Sequence, residues 1–326
     1  MRRATVAICT RNRARTVGRA VEAALAQAAA RDADVLAVDN ASTDDTPAVL
    51  AALAARAAGR LRVVREAEVG LSAARNRALA AADAQVVVFL DDDAVPRPGW
   101  LAALLAPYAE PAVACVGGRV VLAFERPAPA WVVPALHPAL SAYDQGPAPR
   151  TVRYGEADYP YGANTSFRTA DARAAGGFST RMGLRGARQL QHEEIDLCYR
   201  LERAGREIRY APDAVVDHWI PPERVRPEWF VARHRQGGES AALFILRSRG
   251  VLRALWRLRW KYGRALFLRS ERVQEGMDAA ALVRECARQE ARGYARGLAR
   301  ELFRLEALRR RRAAAPPVLR PAGGAS

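Results

Sequence analysis

The sequence predicts an α/β fold with a mixed, mainly parallel sheet and a helical extension at the C-terminus. Strand-like segments alternate with helical patterns from residue 4 to residue 90, which is typical of βαβ units. The run from Val86 to Leu90 is continuously apolar, as expected for a strand that is buried on both faces of a parallel sheet. From Pro227 onward the pattern is helical. Together these three observations predict the fold class.

Each element is assigned from the spacing of its apolar residues. The first part of the chain is predicted to contain five strands, with helices between them. The strands are Ala4–Cys9, Asp34–Val38, Leu61–Arg65, Val86–Leu90 and Val113–Leu122, and the helices are Ala14–Ala29, Pro47–Ala58, Leu71–Ala82 and a segment from Trp100 to about Tyr108.

The second part of the chain is less regular. Arg126–Pro149 is rich in proline and aromatic residues and is predicted to be a long loop over the site. Met182–Gln191 is polar and contains glycine, so it is a candidate mobile lid. The predicted domains are an α/β domain over residues 1–220, a helical region over residues 221–312 and a disordered tail over residues 313–326. The remaining predicted elements are short strands at Ile208–Tyr210 and Ala214–Val216 and helices at Pro227–Arg247, Val251–Arg269 and Ala279–Arg312.

Polar clusters follow three of the predicted strands. They are Thr10-Arg11-Asn12, the segment from Asp39 to Asp45, and Asp91-Asp92-Asp93. In a doubly wound sheet these strand ends converge on one crevice, where such folds bind their ligands. Three adjacent carboxylates repel one another, so a cation is expected to share the site. An acidic turn that caps the next helix is the alternative, since Asp is favoured at such positions. The convergence of three polar clusters favours ligand binding.

The charge of the chain is strongly asymmetric. The 326 residues have a formal net charge of +16, and 17 basic against 7 acidic residues lie between Val251 and Arg312. Nucleic acid, an anionic membrane surface or an acidic ligand could each explain this excess, and a GC-rich genome is a simpler cause of abundant arginine. No nucleic-acid-binding module is recognisable, and the acidic strand ends would repel a phosphate backbone. A nucleic-acid-binding protein is therefore disfavoured.

Localisation is inferred from the cysteines and from apolar segments. The four cysteines show no CxxC pairing, which indicates reduced thiols in a cytoplasmic protein. No secretory signal follows the first residues, and no stretch approaches the roughly 20 apolar residues needed to cross a bilayer. We therefore expect a cytoplasmic protein, with peripheral contact at the inner face of the plasma membrane as an open possibility.

Several short stretches, taken together, resemble glycosyltransferase family 2, whose members are inverting enzymes with the GT-A fold. They follow the order of the family across nearly all of residues 4–220. The resemblance implies a Rossmann-like nucleotide-diphospho-sugar transferase, Mn²⁺ or Mg²⁺ as cofactor, and a hydroxyl-bearing glycan, lipid or small-molecule acceptor. The matching stretches are Ile8–Asn12, Val38–Thr46, Gly70–Asn76, Phe89–Asp93, Gly162–Arg168, Gly176–Phe178, Glu193–Leu201 and Val215–His218.

The resemblance also assigns residues to the metal. It implies that Asp93 is the principal ligand, with Asp91 serving the ribose or the metal-diphosphate region and Asp92 supporting them. His218 matches a histidine that often completes the metal site in the family, and imidazole suits Mn²⁺ better than Mg²⁺. A lone histidine is otherwise more often structural, which is the alternative at this position.

A second group of residues is assigned to binding of the donor nucleotide. Asp39 matches the acid that reads the base or the ribose, although an Asx-turn before the Pro47 helix is the alternative. Arg75 could pair with the diphosphate or pack on the base, or it could be a solvated helix arginine. Thr10 and Arg11 border the same pocket. On the acceptor side, the resemblance implies contacts from Asn164, and Glu193 is also expected to contact the acceptor.

The general base is predicted from helical spacing. Glu194 lies in the middle of an apolar arc, whereas Glu193 and Asp196 face the opposite side, where a solvated charged surface is expected. A glutamate on a packed face is costly unless it is paired or functional, and desolvation would raise its pKa. The resemblance agrees, since the family places its base at the second acid of this motif, although aspartate is commoner there. A helix cap or an ion pair with arginine is the alternative.

Two predictions remain open at this stage. A sugar-nucleotide-synthesising enzyme of related fold is a second reading, but such enzymes open with a glycine-rich loop, and here no glycine precedes Gly18. The predicted helix Val251–Arg269 is amphipathic and rich in Trp and Arg, which suits either a membrane interface or packing on the α/β domain. Its proposed apolar face comprises Leu252, Leu255, Trp256, Trp260, Tyr262, Leu266 and Phe267.

Overall fold

The computed structural model describes residues 2–313 except for residues 30, 157, 186, 187 and 275. The strands in this part of the chain are β1 (Arg2–Thr10), β2 (Ala33–Asp39), β3 (Leu61–Arg65), β4 (Ala84–Leu90), β5 (Ala94–Pro96), β6 (Val113–Phe124), β7 (Arg150–Val152), β8 (Asn164–Arg168), β9 (Leu184–Arg185), β10 (Arg188–Gln189) and β11 (Glu207–Ile220). The helices are α1 (Val17–Ala28), α2 (Thr46–Arg56), α3 (Leu71–Ala81), α4 (Trp100–Leu105), α5 (Thr169–Ala174), α6 (Glu193–Arg203), α7 (Pro227–Arg257), α8 (Gly263–Leu266) and α9 (Ala279–Ala313).

The main sheet is mixed, with parallel pairs on both sides of the antiparallel strand β8. Its strand order is β3-β2-β1-β4-β8-β6-β11-β5, and β7 pairs with β11. Strands β1 to β4 are mutually parallel, and β8 is antiparallel to both β4 and β6. The predicted mixed, mainly parallel sheet with a C-terminal helical region is confirmed. A separate two-stranded antiparallel sheet, formed by β9 and β10, occupies part of the predicted lid.

The apolar run that led to the fold prediction lies at the centre of this sheet. Val86 to Leu90 are all buried, with β1 on one side of β4 and β8 on the other. Helices on both faces exclude water from such a strand, which is why its sequence is continuously apolar rather than alternating. The C-terminal ends of β1, β2 and β4 therefore meet at one edge, as predicted from the polar clusters.

Strand β11 differs from its prediction. Two short strands were expected, with His218 beyond the second, but one strand runs from Glu207 to Ile220 and contains His218. The pairing with β6 shifts between Ala211 and Val216, and this irregular stretch contains Pro212. Because proline has no backbone N–H to donate to the hydrogen-bond ladder of a sheet, the sequence pattern predicted a gap between two strands at a point where the strand in fact continues.

The C-terminal helices also differ in their boundaries. Helix α7 extends to Arg257, but Gly250 has φ 82° and breaks it near the predicted end of the first segment. The chain continues as a π-helical segment, Leu258–Tyr262, and as α8. The predicted tail, residues 313–326, lies outside the described residues except for residue 313.

Helices α7 and α9 pack closely on each other. A Cβ at Gly238 would overlap the backbone of Glu290, and one at Gly293 would overlap the backbone of Arg235. Apolar residues of both helices, including Phe244 and Tyr294, belong to the same buried cluster as the sheet. The helical extension is therefore continuous with the core of the α/β part. No helix within the described ranges combines the length and the apolar character that a bilayer span requires.

Candidate active site

Three carboxylates extend from the end of β4 into the crevice. Asp92 is buried and accepts a hydrogen bond of 2.6 Å from the hydroxyl of Thr10 at the end of β1. Arg13 lies 3.6 Å from the same carboxyl group. Burial and the charge of Asp93 raise the pKa of Asp92 to about 7, although Arg13 and Thr10 oppose the shift. Asp92 therefore links the ends of β1 and β4.

Asp91, Asp93 and His218 form a group that could hold a metal ion. One potential ligand atom from each residue lies within 4.8 Å of the others. Strand β5 brings His218 close, because Ala94 pairs with it on β11 and the carbonyl of Asp93 accepts a hydrogen bond from the N–H of Trp219. Two carboxylates and an imidazole are donors that suit Mn²⁺.

The tautomer of His218 fits a ligand role. Its Nδ1 lies 2.9 Å from the carbonyl oxygen of Leu140, which can only accept, so Nδ1 has the proton. Its Nε2 lies 3.0 Å from Oδ1 of Asp93. A histidine metal ligand typically donates its other N–H to such a carbonyl, which leaves Nε2, here bonded to Asp93, as the nitrogen that a cation between the two residues would take. The predicted loop over the site supplies this carbonyl.

Asp93 is held in its ionised form. Burial would raise its pKa, but the hydrogen bond and charge of His218 and the charge of Arg224 outweigh burial and hold that pKa well below its usual range. Arg224 donates a hydrogen bond of 3.0 Å to Oδ2 of Asp93. An ionised carboxylate that is compensated by cations is suited to exchange one of these cations for a metal ion.

The donor side of the site is a crevice of about 650 Å³. Thr10 and Arg11 line it, as predicted, together with all three carboxylates. Arg11 donates to the carbonyl oxygens of Asn40 and Ala41. Asp39 is buried next to these residues, and its Oδ1 accepts a hydrogen bond of 3.1 Å from the N–H of Ser42. Asp39 does not line the crevice, so the turn that was the alternative for this residue is present.

Arg75 connects the metal side to the predicted base. Its guanidinium is buried and lies 2.7 Å from Oε1 of Glu193 and 3.4 Å from Oδ1 of Asp91. It also lies over the rings of Phe89 and Phe178, at 5.9 and 5.6 Å. Arg75 is therefore neither a solvated helix arginine nor a free diphosphate ligand, because its cation already compensates two carboxylates.

The first turn of α6 places both glutamates inside the protein. Glu193 and Asp196 are buried, so the expectation that they form a solvated charged face is wrong. Glu193 pairs with Arg75 and Asp196 pairs with Arg200, and these charges allow both positions to be buried. Sequence periodicity could not reveal partners that are distant along the chain.

Glu194 has a different environment from Glu193. It is nine-tenths buried, its Oε2 has no hydrogen-bond partner among the described residues, and Arg75 is 4.0 Å away. Burial and the charge of Glu193 raise the pKa of Glu194 to about 8, against the effect of Arg75. It lines a hollow of about 230 Å³ that shares Asp91 with the donor crevice. A carboxyl group with an unused oxygen and a raised pKa is suited to accept a proton.

Asn164 is not part of either cavity. Its side chain is fully buried, accepts a hydrogen bond from Nε1 of Trp100 and donates to the carbonyl oxygens of Arg119 and Ala214. These three bonds use its donors and its acceptor within the protein, so the structure gives no support to an acceptor contact by Asn164. The neighbouring Gly162 does line the hollow, and any side chain there would overlap Arg75.

Three residues that line these cavities were missed in the sequence analysis. Arg224 is on a 3-10 turn after β11, and Arg233 on α7 lines both the crevice and the hollow. His192 precedes α6 with φ 75°, a conformation that is uncommon without glycine. Arginine is so frequent in this chain that its sequence pattern does not distinguish Arg224 and Arg233 from the others. His192 could have been identified from the sequence, because it directly precedes the acidic motif.

Comparison with known proteins agrees with this geometry. The sequence model of the family described as Glycosyl transferase family 2 matches residues 5–172. A pre-mycofactocin glycosyltransferase of Mycobacterium tuberculosis is 36% identical over 177 residues, which is 54% of this chain and 35% of that protein. A glucosyl-dolichyl phosphate glucuronosyltransferase of Haloferax volcanii is 30% identical over 183 residues, 54% of this chain and 56% of that protein. The matches thus span little more than half of these relatives' own length, or less.

Among solved structures, a mannosyltransferase from Pyrobaculum calidifontis, in complex with GDP-Man and Mn²⁺, has a similar fold. It has a TM-score of 0.55 and 20% sequence identity, and the match covers 97% of this chain and 81% of that one. At this identity the similarity shows the fold alone. The match extends over nearly the whole chain, including the C-terminal helices.

Proposed function

The chain belongs to glycosyltransferase family 2, and we propose that it is an inverting, metal-dependent enzyme that moves a sugar from a nucleotide-diphosphate donor to a hydroxyl acceptor. The observation that supports this most directly is the arrangement of two functional groups around Arg75. The metal-binding group Asp91, Asp93 and His218 is on one side, and Glu194 is on the other. The crevice that contains the candidate metal ligands and the hollow that contains the candidate base are therefore adjacent.

The residues at the end of β4 fit a divalent cation. Asp91, Asp93 and Nε2 of His218 would hold it, with the proton on Nδ1 of His218 held by Leu140. When bound, Mn²⁺ or Mg²⁺ neutralises the charge that develops on the departing nucleoside diphosphate. Arg224 contacts Asp93 and lines the same crevice, so its guanidinium can compensate negative charge there.

Glu194 performs the proton transfer in this proposal. Its unpartnered Oε2 accepts the proton of the acceptor hydroxyl as the hydroxyl oxygen attacks the anomeric carbon from the face opposite the diphosphate. The raised pKa makes the carboxylate a stronger base than an exposed glutamate. Glu193 pairs with Arg75 at 2.7 Å and holds that arginine in place, so it acts as a positioning residue rather than as the base.

In this proposal the acceptor is specified only by its chemical class, which is a cell-surface polysaccharide, a lipid-linked glycan or a secondary metabolite. The two relatives compared above are named for a pre-mycofactocin acceptor and for glucosyl-dolichyl phosphate, and neither name transfers directly to a chain that matches only part of them. Sugar-nucleotide synthesis is the second candidate, and the donor screen described below distinguishes it, because a synthesising enzyme consumes a nucleoside triphosphate and a sugar phosphate and does not release a nucleoside diphosphate from a nucleotide sugar.

We also propose peripheral contact with an anionic membrane in the cytoplasm. Leu252, Trp260 and Phe267 are 85%, 66% and 90% exposed, and Arg253 and Arg259 lie beside this apolar surface. Exposed tryptophan next to arginine suits the interface of a bilayer that contains anionic lipids. Tyr262 was expected on the same face but is buried, where its ring lies 4.5 Å from that of Tyr294.

A screen of UDP, GDP, dTDP and CDP sugars tests the central proposal. Each donor is added with Mn²⁺, and the melting temperature of the protein is measured, because a ligand that binds only the folded state raises it. We expect one nucleotide to give a shift that EDTA abolishes. With that donor, we expect release of the nucleoside diphosphate. NMR of the product should show that its anomeric configuration is inverted relative to that of the donor sugar. Binding and turnover that persist in EDTA would contradict the metal-dependent mechanism.

A further inference from the structure

A cavity of about 760 Å³ lies next to the hollow that contains Glu194. Gln191, His192 and Ile195 line both spaces, so the two cavities are adjacent. The other walls of the larger cavity come from α7, from the π-helical segment Leu258–Tyr262 and from the stretch between β7 and β8. A molecule that presents a hydroxyl to Glu194 could therefore extend into this cavity.

The lining of the cavity is both cationic and aromatic. Glu290, one of its three acidic residues, is already engaged by Lys261 at 3.6 Å and by the hydroxyl of Tyr262 at 2.8 Å. The other two, Glu156 and Asp158, are exposed to solvent. The cations outnumber these carboxylates, and the lining comprises the basic residues Arg233, Arg249, Arg253, Arg257 and Lys261 and the aromatic residues Tyr154, Tyr159, Phe244, Trp256 and Tyr262.

Several polar atoms of this lining are buried without a partner. They are Nε of Arg233, Nε of Arg257 and Nδ1 of His192, each without a hydrogen bond to any described residue. Buried polar atoms are nearly always paired, because an unpaired one loses its hydration and gains nothing in return. The atoms themselves are closed to the cavity, and what the two guanidinium groups contribute to it is their positive charge, which favours an anionic ligand.

The neighbouring arginines are held by aromatic rings. The guanidinium of Arg249 lies 4.7 Å from the ring centre of Tyr154, and that of Arg253 lies 4.1 Å from the ring centre of Trp256. Stacking fixes the plane of each guanidinium while its edge stays free to donate to an anion. The same rings offer apolar surface to the body of a ligand.

We infer that this cavity is an extension of the acceptor site and that the acceptor is an organic anion. In this arrangement a phosphate or carboxylate of the acceptor lies against Arg249 and Arg257, its apolar part contacts Trp256 and Tyr154, and its hydroxyl reaches Glu194. The inference rests on the proposed function, because it identifies the class of molecule that receives the sugar.

The test uses 1-naphthyl phosphate as a probe, with 1-naphthoate and uncharged 1-naphthol as matched compounds. Binding to the full chain in the presence of Mn²⁺ is followed by the fluorescence anisotropy of the naphthyl group. We expect both anions to bind roughly ten-fold or more tightly than naphthol, since hydrogen bonds to charged groups contribute this much. The double variant Arg249→Gln/Arg257→Gln should lose that preference. Arg247→Gln is the control, because Arg247 is exposed on the same helix and does not line the cavity.

Vesicles identify the source of the anion. If the wild-type protein binds phosphatidylcholine vesicles that contain phosphatidic acid and the double variant does not, the anion belongs to a lipid. If the wild-type protein binds only the soluble probes, the anion belongs to a soluble molecule. Equal affinity for naphthol and naphthyl phosphate, or an unaltered preference in the double variant, would overturn the inference. Metal-dependent hydrolysis of the donor by the wild-type protein is measured in parallel, and its absence would instead contradict the proposed function.

Discussion

The guanidinium of Arg75 donates a hydrogen bond of 2.7 Å to Glu193, and both side chains are almost completely buried. The same cation lies 3.4 Å from Asp91 and 4.0 Å from Glu194. Burial of a single ion is expensive, so Arg75 and Glu193 are stable inside the protein only because each compensates the other. Arg75 therefore connects the metal side of the site, through Asp91, to the hollow that contains Glu194.

Replacement of this arginine should destabilise the fold. We expect Arg75→Gln to lower the free energy of unfolding by about 3–5 kcal/mol, because Glu193 would be left buried without a cation. Urea denaturation at neutral pH measures the loss. The double variant Arg75→Gln/Glu193→Gln is the control and should recover part of it, since it removes the uncompensated carboxylate as well. A loss below about 0.5 kcal/mol in the single variant, as at surface positions, would show that the pair is not important for stability.

Removal of a metal ligand should affect binding rather than folding. Asp93→Asn keeps the shape of the side chain but loses its charge, and we expect the affinity for Mn²⁺ to fall by roughly 100-fold or more. The Mn²⁺-dependent rise in melting temperature with the nucleotide-sugar donor reports this change. Asp217→Asn is a matched control, because Asp217 is on the same strand as His218 but pairs with Arg97 at the surface. An equal loss in both variants would argue against a metal site at Asp93.

The sequence was sufficient for the sheet and for the convergence of its polar strand ends. The apolar run before Asp91 and the polar ends of three strands predict where β1, β2 and β4 converge, because burial and strand direction are local properties of the chain. Local pattern could not predict that Glu193 and Asp196 are buried, since their partners Arg75 and Arg200 become visible only after folding. The same reason explains why Arg224 and Arg233 were not singled out.

Loss of the base should abolish most of the turnover. We expect Glu194→Gln to retain donor and metal binding and to lose kcat by roughly 10²–10⁴-fold, because an amide cannot accept the proton of the acceptor hydroxyl. In the wild-type protein, kcat/KM should rise with pH up to about pH 8, as Glu194 becomes ionised. Steady-state kinetics between pH 6 and 9 would show this limb. Near-normal turnover in Glu194→Gln, with Glu193→Gln inactive, would assign the base to Glu193 instead.

The exposed aromatic surface should mediate membrane contact. We expect the protein to sediment with anionic liposomes more strongly than with neutral ones at low salt, and Trp260→Ser/Phe267→Ser to reduce this sedimentation several-fold, because both side chains are mostly exposed. Phe303→Ser is the control, since Phe303 is 72% exposed on α9, outside this surface. Equal binding to neutral liposomes, or no effect of the double variant, would favour packing or assembly as the role of this segment.

The raised pKa of Glu194 also predicts how stability depends on pH. Its pKa is about 8 in the native protein and about 4.5 in the unfolded chain. Between these values the unfolded state releases the proton that the native state keeps, so the contribution of Glu194 to stability is complete below pH 4.5 and is lost as the pH rises through 8. The slope is at most about 1.4 kcal/mol per pH unit. Glutamine does not titrate, so Glu194→Gln is free of this loss.

We therefore expect the metal-free Glu194→Gln variant to gain stability relative to the wild-type protein as the pH rises from 5.5 to 8.5. Urea denaturation at both pH values measures the difference in unfolding free energy between the two proteins. Asp92, whose pKa is raised to about 7, titrates in the same window, but it is present in both proteins and largely cancels from the difference. A difference that stays constant with pH would mean that Glu194 is ionised in the folded protein throughout this range. The base would then be an ordinary carboxylate, and its catalytic strength would have to come from the bound substrates instead.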